Sequence, residues 1–274
     1  MFKIYDLNMK EIPFPDGVIP LEIFVGSVGK ERTVDTVDGR PGVVDYGFNY
    51  TDRPVSLFLR IKAADATDFR LLRNEVFATF DVGSAFYVAE SDVPSRVLKV
   101  VVDESYIPDR LTEEYADFDI NCRTLDSVFW ESKYTTLELH DSGYSATAEK
   151  YGIVDNIDDE KVKYRFTESN FTVYNAGNVT VEPESMELVI QISSVSTTGT
   201  LSLKNITTGE EFRLSKNLSG RNISLNGMNV RDGTVNAFRD SNRRFISLAP
   251  GDNQFEITGA TFSQVWISFK YYYK

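Results

Sequence analysis

The stretch V-S-L-F-L-R-I at residues 55–61 has the clearest strand pattern in the first part of the chain. Its odd-numbered positions, from Val55 to Ile61, are all aliphatic, which is the period-two pattern of a strand with one buried face. Apolar residues at helical spacing follow at 65–81, with Asp65 and Asp68 at the N-terminal end, where acidic side chains suit the helix dipole. The pattern predicts a strand followed by a helix.

Outward from this pair, other alternating stretches predict further strands. They lie at residues 85–89, 97–102, 116–122 and 161–165. We find one convincing helix among them, over about 65–81. One helix within a mainly antiparallel chain predicts a barrel-like β domain that the helix covers.

The C-terminal part has a cleaner period-two pattern. Short alternating stretches occur near residues 186–192, 201–203, 212–214, 223–225, 245–248, 255–257 and 265–273. Glycine, proline and asparagine separate them at turn positions. Short strands at this spacing predict a C-terminal antiparallel β-sandwich.

The distribution of charge predicts two domains. Residues 1–170 contain 19 Lys and Arg against 32 Asp and Glu, whereas residues 171–274 contain 10 against 9. An acidic run at 155–160 lies just before this change. We therefore predict one domain at 1–170 and a sandwich at 171–274 that folds on its own.

The composition excludes most catalytic chemistry. The 274 residues contain one His, His140, and one Cys, Cys122, which rules out zinc sites that need several nitrogen or sulfur ligands. Cys122 lies in an alternating stretch and is interpreted as a small core residue. The acidic pair Glu113 and Glu114 is interpreted as a solvated loop, because adjacent strand residues point to opposite faces. We expect no catalytic, metal-binding or cofactor-binding residues.

Charge and hydropathy exclude two further classes. A pI near 4.7 and the absence of a basic patch argue against sequence-specific nucleic-acid binding. Residues 1–30 have no uninterrupted apolar segment, and no run of about 18 apolar residues occurs in the chain. We expect neither a standard secretion signal nor membrane insertion.

Several stretches, taken in their order and spacing, resemble those of a known protein family. They are V-D-G-R-P-G-V-V-D-Y at 37–46, the strand and helix block at 55–80, F-Y-V-A at 86–89, F-W-E-S at 129–132, N-A-G-N at 175–178, L-K-N-I-T-T-G-E at 203–210 and L-A-P-G-D-N-Q-F-E-I at 248–257. Over nearly its whole length the chain resembles the distal tail protein family of long-tailed, non-contractile bacteriophages.

This resemblance implies a structural role. Such proteins form a hexameric ring through their N-terminal domains and dock beneath the tail tube protein. Their galectin-like C-terminal sandwiches project outward as a baseplate hub in the virion, at the tail tip. The implied neighbours are a tail-tip protein that often bears a lysin, and receptor-binding proteins. The resemblance implies no enzymatic activity and no cofactor, and implies assembly in the bacterial host cytoplasm.

Two alternatives to the hub stay open, a carbohydrate-binding lectin-like module that contacts the host cell wall and an enzyme of unknown chemistry. Candidate interface residues are Trp266 and Tyr272 on the last strand, and Arg243 and Arg244 in a turn-rich segment. Sugar-binding sites often place polar side chains such as His around an aromatic side chain, and the C-terminal part contains no His. We therefore expect Trp266 and Tyr272 to serve protein contact or partial core burial, and glycan binding no tighter than roughly millimolar.

Overall fold

The computed structural model describes residues 1–80, 83–142 and 157–274. Contacts within the chain divide it into two units, Met1–Trp130 with Lys274 and Glu131–Tyr273. Both units are mainly β, as the sequence predicts. In the described residues no helix is long and apolar enough to cross a bilayer.

The first unit contains ten strands and one helix in its described residues. The strands are β1 (Phe2–Tyr5), β2 (Glu11–Ile12), β3 (Val18–Val25), β4 (Gly29–Thr36), β5 (Val43–Thr51), β6 (Pro54–Lys62), β7 (Phe86–Glu90), β8 (Arg96–Val101), β9 (Asp109–Arg110) and β10 (Tyr115–Thr124), and the helix is α1 (Ala66–Phe80). An open antiparallel sheet has the order β2-β1-β7-β8-β10-β6-β3, with β9 beside β10. Strands β4 and β5 form a separate two-stranded sheet.

Strand β6 is an inner strand of this sheet, paired on both edges, and its aliphatic face is buried. Leu57, Leu59 and Ile61 have no exposed surface, and β6 pairs antiparallel with β10 on one side and β3 on the other. On the opposite face the guanidinium of Arg60 donates to the carboxylate of Asp117 at 2.6 and 2.7 Å. The predicted strand is confirmed.

Helix α1 begins where its sequence provides a cap. The Asp65 carboxylate accepts from the backbone N–H of Thr67 at 2.7 Å and of Asp68 at 2.8 Å, which satisfies two N–H groups of the first turn that lack helical partners. These bonds lower the pKa of Asp65, with the Asp68 bond contributing most. The helix buries Phe69, Leu72, Val76 and Phe80. Residue 81, the predicted end, lies outside the described residues.

The second unit forms a two-layer sandwich. A short strand, β11 (Trp130–Ser132), lies at the division between the units. The elements that follow are α2 (Thr136–Ser142), β12 (Arg165–Phe166), β13 (Asn170–Asn175), β14 (Leu188–Thr197), β15 (Thr200–Asn205), β16 (Glu210–Ser215), β17 (Leu218–Asn226), β18 (Asn229–Asp232), β19 (Val235–Asn236), β20 (Gly251–Thr258), β21 (Gln264–Phe269) and β22 (Tyr272–Tyr273), with 3-10 turns at Asp159–Lys161 and Phe238–Asp240. One sheet has the order β12-β21-β14-β17-β18-β19, and the other β13-β20-β15-β16.

The inner faces of the two sheets form the core of the sandwich. Ile190 lies opposite Leu225 and Ile267 in the larger sheet, and all three side chains are buried. In the smaller sheet Leu203 lies opposite Phe212 and Ile257. Burial of these alternating aliphatic residues is the main stabilising contribution to such a fold.

The division at Trp130 lies earlier than the boundary near residue 170 that charge predicted. The reason is packing that charge does not report: Tyr164 is fully buried, and its hydroxyl is 2.6 Å from that of Tyr271 and donates to the Tyr174 carbonyl at 2.7 Å. Thr136 of α2, a helix the sequence did not predict, also accepts from the Phe269 N–H at 3.1 Å. Residues 155 and 156 of the acidic run lie outside the described residues.

Candidate assembly surface

The two-stranded sheet of β4 and β5 is a hairpin ribbon, here called the arm, residues 29–51. Its register runs from Gly29 opposite Thr51 to Thr36 opposite Val43, with an irregularity between Arg32 and Val34. Gly47 on the other strand lies at φ +105°, a conformation that favours glycine. The bulge therefore follows directly from the glycine in D-Y-G-F.

Aromatic side chains lie on β5 near the end of the arm where Gly29 pairs with Thr51. The rings of Phe48 and Tyr50 meet edge to face with centroids 5.3 Å apart, and Tyr50 meets Phe129 at 5.1 Å. The Lys30 ammonium lies 5.0 Å from the centroid of Phe48, and the guanidinium of Arg32 covers the same ring at 5.6 Å. These contacts fix the aromatic side chains without burying them.

The electrostatics of the arm are local. The Asp45 carboxylate accepts from the Gly47 N–H at 2.9 Å and from the Arg32 guanidinium. The Gly47 bond first, and then the Arg32 guanidinium, hold the pKa of Asp45 below its usual value. The ion pair links the two strands across the bulge and leaves the apolar side chains to solvent.

Exposed apolar surface is concentrated on the arm. Tyr46 is 64% exposed and Phe48 is 41% exposed, and the large exposed apolar residues of the arm are Val34, Val37, Val43, Tyr46, Phe48 and Tyr50. A two-stranded ribbon alone is marginally stable in water, and a contiguous exposed apolar patch marks a protein contact. The geometry of the arm therefore fits a surface that a partner covers.

Strand β6 and helix α1 present different surfaces. Both edges of β6 are already paired, so it offers only its outward face, on which the half-buried Ser56, Phe58 and Arg60 lie between the exposed Pro54 and Lys62. Helix α1 exposes Leu71. Strand β3 is at the end of the sheet order, so one of its edges has no partner strand in the described residues.

Trp266 and Tyr272 lie in different environments. Trp266 is half-buried on β21, opposite Arg165 of β12 and Gln191 of β14. Tyr272 is only 3% exposed, and its hydroxyl accepts from the Glu187 N–H at 3.2 Å. The side chain of Tyr272 is thus a core group of the sandwich.

Arg243 and Arg244 lie on an exposed turn. Arg243 has φ +57°, and its guanidinium lies 5.9 Å from the centroid of Phe238. The N–H of Arg244 donates to the Asn242 side chain at 3.3 Å. The four candidate residues thus occupy a surface turn, a sheet and the core, and no single site contains them all. The sequence analysis did not select the arm as a candidate site. The alternating stretch V-V-D-Y-G-F-N-Y at 43–50 is the pattern that could have indicated it.

Catalytic and metal-binding groups are placed as follows. Cys122 is buried, and burial raises the pKa of its thiol to about 12. The Nδ1 of His140 lies 3.2 Å from the Val162 carbonyl oxygen. Over residues 1–80, 83–142 and 157–274, no three His, Cys, Asp or Glu side chains form a group that could hold a metal ion.

Comparisons with known proteins place this fold among phage tail proteins. Residues 7–122 match the model of the phage tail protein RIFT-related domain. The crystal structure of SPP1 Dit (gp 19.1), described as a paradigm of the hub adsorption apparatus in phages that infect Gram-positive bacteria, is similar with a TM-score of 0.67 at 12% identity, over 99% of each chain. The phage P2 baseplate in its activated conformation with Ca gives 0.47 at 10% identity, over 98% of this chain and 97% of that one. No curated protein sequence matches.

The match and the shared fold agree with the phage tail part of the resemblance found in the sequence. The family model covers α1, the arm and the open sheet except β1, and the fold similarity to SPP1 Dit extends through the sandwich. At 12% identity this similarity establishes the fold of the chain.

Proposed function

We propose that this chain, whose residues 7–122 match a phage tail protein domain, is the distal tail protein of a long-tailed, non-contractile bacteriophage. It is a structural protein that forms a hexameric ring at the end of the tail tube and acts as the baseplate hub in host attachment. The observation that carries this proposal is the fold shared with SPP1 Dit over 99% of both chains, together with the family match.

The arm supports ring formation through the first unit. A ring requires a heterologous contact, in which one surface of a copy meets a different surface of the next copy. The exposed aromatic face of the arm supplies one such surface, and the unpartnered edge of β3 or the outward face of β6 supplies candidates for the other. Each copy would then present both halves of the contact.

The partners follow from the position of a hub. We place the tail tube protein on one side of the ring, and the tail-tip protein, which often bears a lysin, and receptor-binding proteins on the other. The location is the tail tip of the virion, after assembly in the bacterial host cytoplasm. These finer assignments rest on the resemblance to the family.

A catalytic role is not part of this proposal. The single thiol, Cys122, is buried with a raised pKa, so its nucleophilic thiolate is disfavoured at neutral pH. The imidazole of His140 contacts a backbone carbonyl oxygen. These features favour a structural protein.

The test is the oligomeric state of the full chain. Native mass spectrometry over a range of protein concentrations and negative-stain electron microscopy with purified tail tubes should show closed six-membered rings at the tube ends. A monomer in dilute solution that closes into a ring on the tube agrees with the proposal. A stable symmetric dimer that buries the arm, with no ring on the tube, would contradict it.

A further inference from the structure

A depression in the surface of the sandwich carries apolar and cationic side chains together. It is lined by Met228, Asn229, Asn236, Phe238 and Arg239. Arg231 of β18 pairs with Asn236 of β19 and therefore lies on the same face of the sheet. Met228 is 49% exposed, and Phe238 is half-buried. We call these six residues the arginine patch.

The two arginines of the patch carry charge that the fold does not compensate. Arg231 and Arg239 are exposed, and neither forms an ion pair within residues 1–80, 83–142 and 157–274. The carboxylates of Asp232 and Asp240, their neighbours in sequence, lie 2.8 and 3.9 Å from the Lys216 ammonium instead. The patch is therefore locally basic, although the whole chain has a net charge of −12.

Two further arginines lie close to the patch but are not assigned to it. The guanidinium of Arg243 lies 5.9 Å from the centroid of Phe238. Arg243 and Arg244 also line a neighbouring depression that contains four glutamates. Because these carboxylates share that depression with the two arginines, the unbalanced charge of the patch is that of Arg231 and Arg239.

A complementary surface lies on the first unit, at β9. Ile107 and Leu111 lie on either side of this strand and are 80% and 66% exposed, the two highest values for a large apolar side chain in the described residues. The segment 107–114 contains three carboxylates, those of Asp109, Glu113 and Glu114. All three are exposed, and none forms an ion pair in the part of the chain that the structure describes. We call residues 107–114 the β9 segment.

The one cation of the β9 segment is engaged within its own unit. The guanidinium of Arg110 lies 4.9 Å from the centroid of Phe69 of α1 and donates to the carbonyl oxygens of Thr112 and Glu113 at 3.3 and 2.9 Å. These contacts tie the segment to its own unit. The charge that the β9 segment offers to a partner is thus that of its carboxylates.

From these two surfaces we infer that the β9 segment of one copy docks on the arginine patch of a second copy. The carboxylates of the segment accept charge-assisted hydrogen bonds from Arg231 and Arg239. The two exposed aliphatic side chains of the segment pack against Met228 and Phe238, which removes apolar surface from water. The contact is heterologous, because each copy contributes a different surface to it.

Apolar surface and charge together select this occupant. An anionic polymer would use the cations of the patch but not Met228 and Phe238, whereas methionine, aromatic residues and arginine are the side chains enriched in protein interfaces. The arm fits the patch less well, because Lys30 and Arg32 lie over its Phe48 and would meet the arginines as like charges. The inference goes beyond the proposed ring, since it joins the sandwich to a second copy without using the arm.

The experiment measures self-association of the full chain in the absence of tail tubes. Sedimentation velocity at about 1–100 µM protein is compared at about 50 mM and about 500 mM salt. We expect association at low salt that weakens about tenfold or more at high salt, because ions screen charge pairs at a surface. A chain that stays monomeric over this range would overturn the inference. So would association that salt leaves unchanged.

Charge reversal assigns the two surfaces. R231E/R239E makes the patch acidic, and E113K/E114K makes the β9 segment basic. Each variant alone presents like charges on both surfaces and should stay monomeric, whereas an equimolar mixture presents opposite charges and should associate. A mixture that associates no better than its two components would contradict the assignment.

Matched variants separate this contact from net charge and from the ring. K163E/K204E reverses two exposed cations of the sandwich that lie outside the patch and should leave association unchanged, so an equal loss there would refute a specific contact. I107S and M228S should each weaken association without changing urea unfolding. Y46S/F48S alters only the arm and should keep the salt-dependent association, which distinguishes a failure of the ring from a failure of this contact. Binding of dextran sulfate that R231E/R239E abolishes, in a wild-type chain that stays monomeric, would identify the patch as a polyanion site instead.

Discussion

At the residue scale, the most consequential charge in the sandwich is that of Asp232. Its carboxylate is nearly buried at the end of β18 and accepts from the Lys216 ammonium at 2.8 Å and from the Arg221 guanidinium at 2.7 Å. Burial raises the pKa of Asp232, but the hydrogen bonds from these two cations outweigh it and hold the pKa below 3.8. One carboxylate thus ties β18 to two positions on neighbouring segments.

We predict that D232N lowers the free energy of unfolding by about 2 kcal/mol, because the two cations lose a charged acceptor. Urea unfolding at pH 7 measures the change. The matched control is D252N, whose carboxylate pairs with Lys161 at the exposed surface and should change stability little. Equal effects of the two substitutions would contradict the role given to burial.

The contribution of Asp232 and its two cations to stability depends on pH in a defined direction. A carboxyl group whose pKa is lowered in the folded state contributes its stabilisation above the unfolded-state pKa and loses it as the pH falls through the folded-state value. The difference in stability between the wild-type protein and D232N should therefore narrow as the pH falls below 3.8. A difference that stays constant down to pH 2.5 would argue against the ion pair as its cause.

Asn253 is a second residue whose polar groups are fully used. Its side chain is buried, with the amide donating to the Ala249 carbonyl at 2.7 Å and the oxygen accepting from the Ala249 N–H at 2.9 Å and from the Asn205 amide at 3.1 Å. We predict that N253A costs about 3 kcal/mol in urea unfolding, because it leaves several buried groups unpaired. The exposed Asn226 provides the control N226A, and a similar loss there would refute the explanation.

At the element scale, the arm is the part of the first unit whose surface the fold does not use. Its strands pair only with one another among the described residues, while Tyr46 and Phe48 remain exposed. The sequence analysis did not select the strands of the arm, and the alternation at 43–50 does not by itself indicate which face a neighbouring sheet covers. Only the pairing of β6 with β3 and β10 shows that β4 and β5 lie outside the main sheet.

We predict that the double variant Y46S/F48S lowers the free energy of unfolding of the free chain by no more than about 1 kcal/mol, because both side chains are exposed and the contacts of Phe48 with Tyr50, Lys30 and Arg32 lie at the surface. The same variant should weaken self-association on the tube about tenfold or more, as loss of aromatic anchors does. Chemical denaturation and electron microscopy of decorated tubes measure the two effects. The control I206S removes a comparably exposed side chain from the sandwich and should leave rings intact.

At the scale of the whole molecule, the division of the chain is decided by a few residues before the sandwich strands. Tyr164 and α2 contact β21 and the residues that follow it, so the second unit begins near Glu131. The difference in charge that predicted a domain boundary near residue 170 is a property of composition. Composition does not indicate which segment packs into a hydrophobic core.

We predict that a fragment of residues 131–274 folds with the amide dispersion of a native β protein. The fragment 171–274, expected from sequence to fold on its own, should be less stable, because it lacks the buried Tyr164 and its bond to the Tyr271 hydroxyl. Circular dichroism and thermal unfolding compare the two. Equal stability would show that residues 131–170 do not belong to the core, and an unfolded longer fragment would refute the division at Trp130.

The order of residues alone predicts the mainly β class, the strand and helix at 55–80, and the alternating strands of the sandwich. The alternating burial of a strand can be predicted directly from the order of residues, because successive side chains of a strand point to opposite faces. The order and spacing of its stretches also carried the resemblance to distal tail proteins, and residues 7–122 match the model of a phage tail protein domain.

The residues that share a surface can be identified only in the folded chain. The tertiary structure placed Tyr272 in the core, exposed the aromatic side chains of the arm, and aligned Trp266 with Gln191, Ser224 and Arg231 across four strands. These residues are up to 75 positions apart in the sequence. Their alignment depends on the register and order of the strands, which long-range pairing fixes and local patterns do not contain.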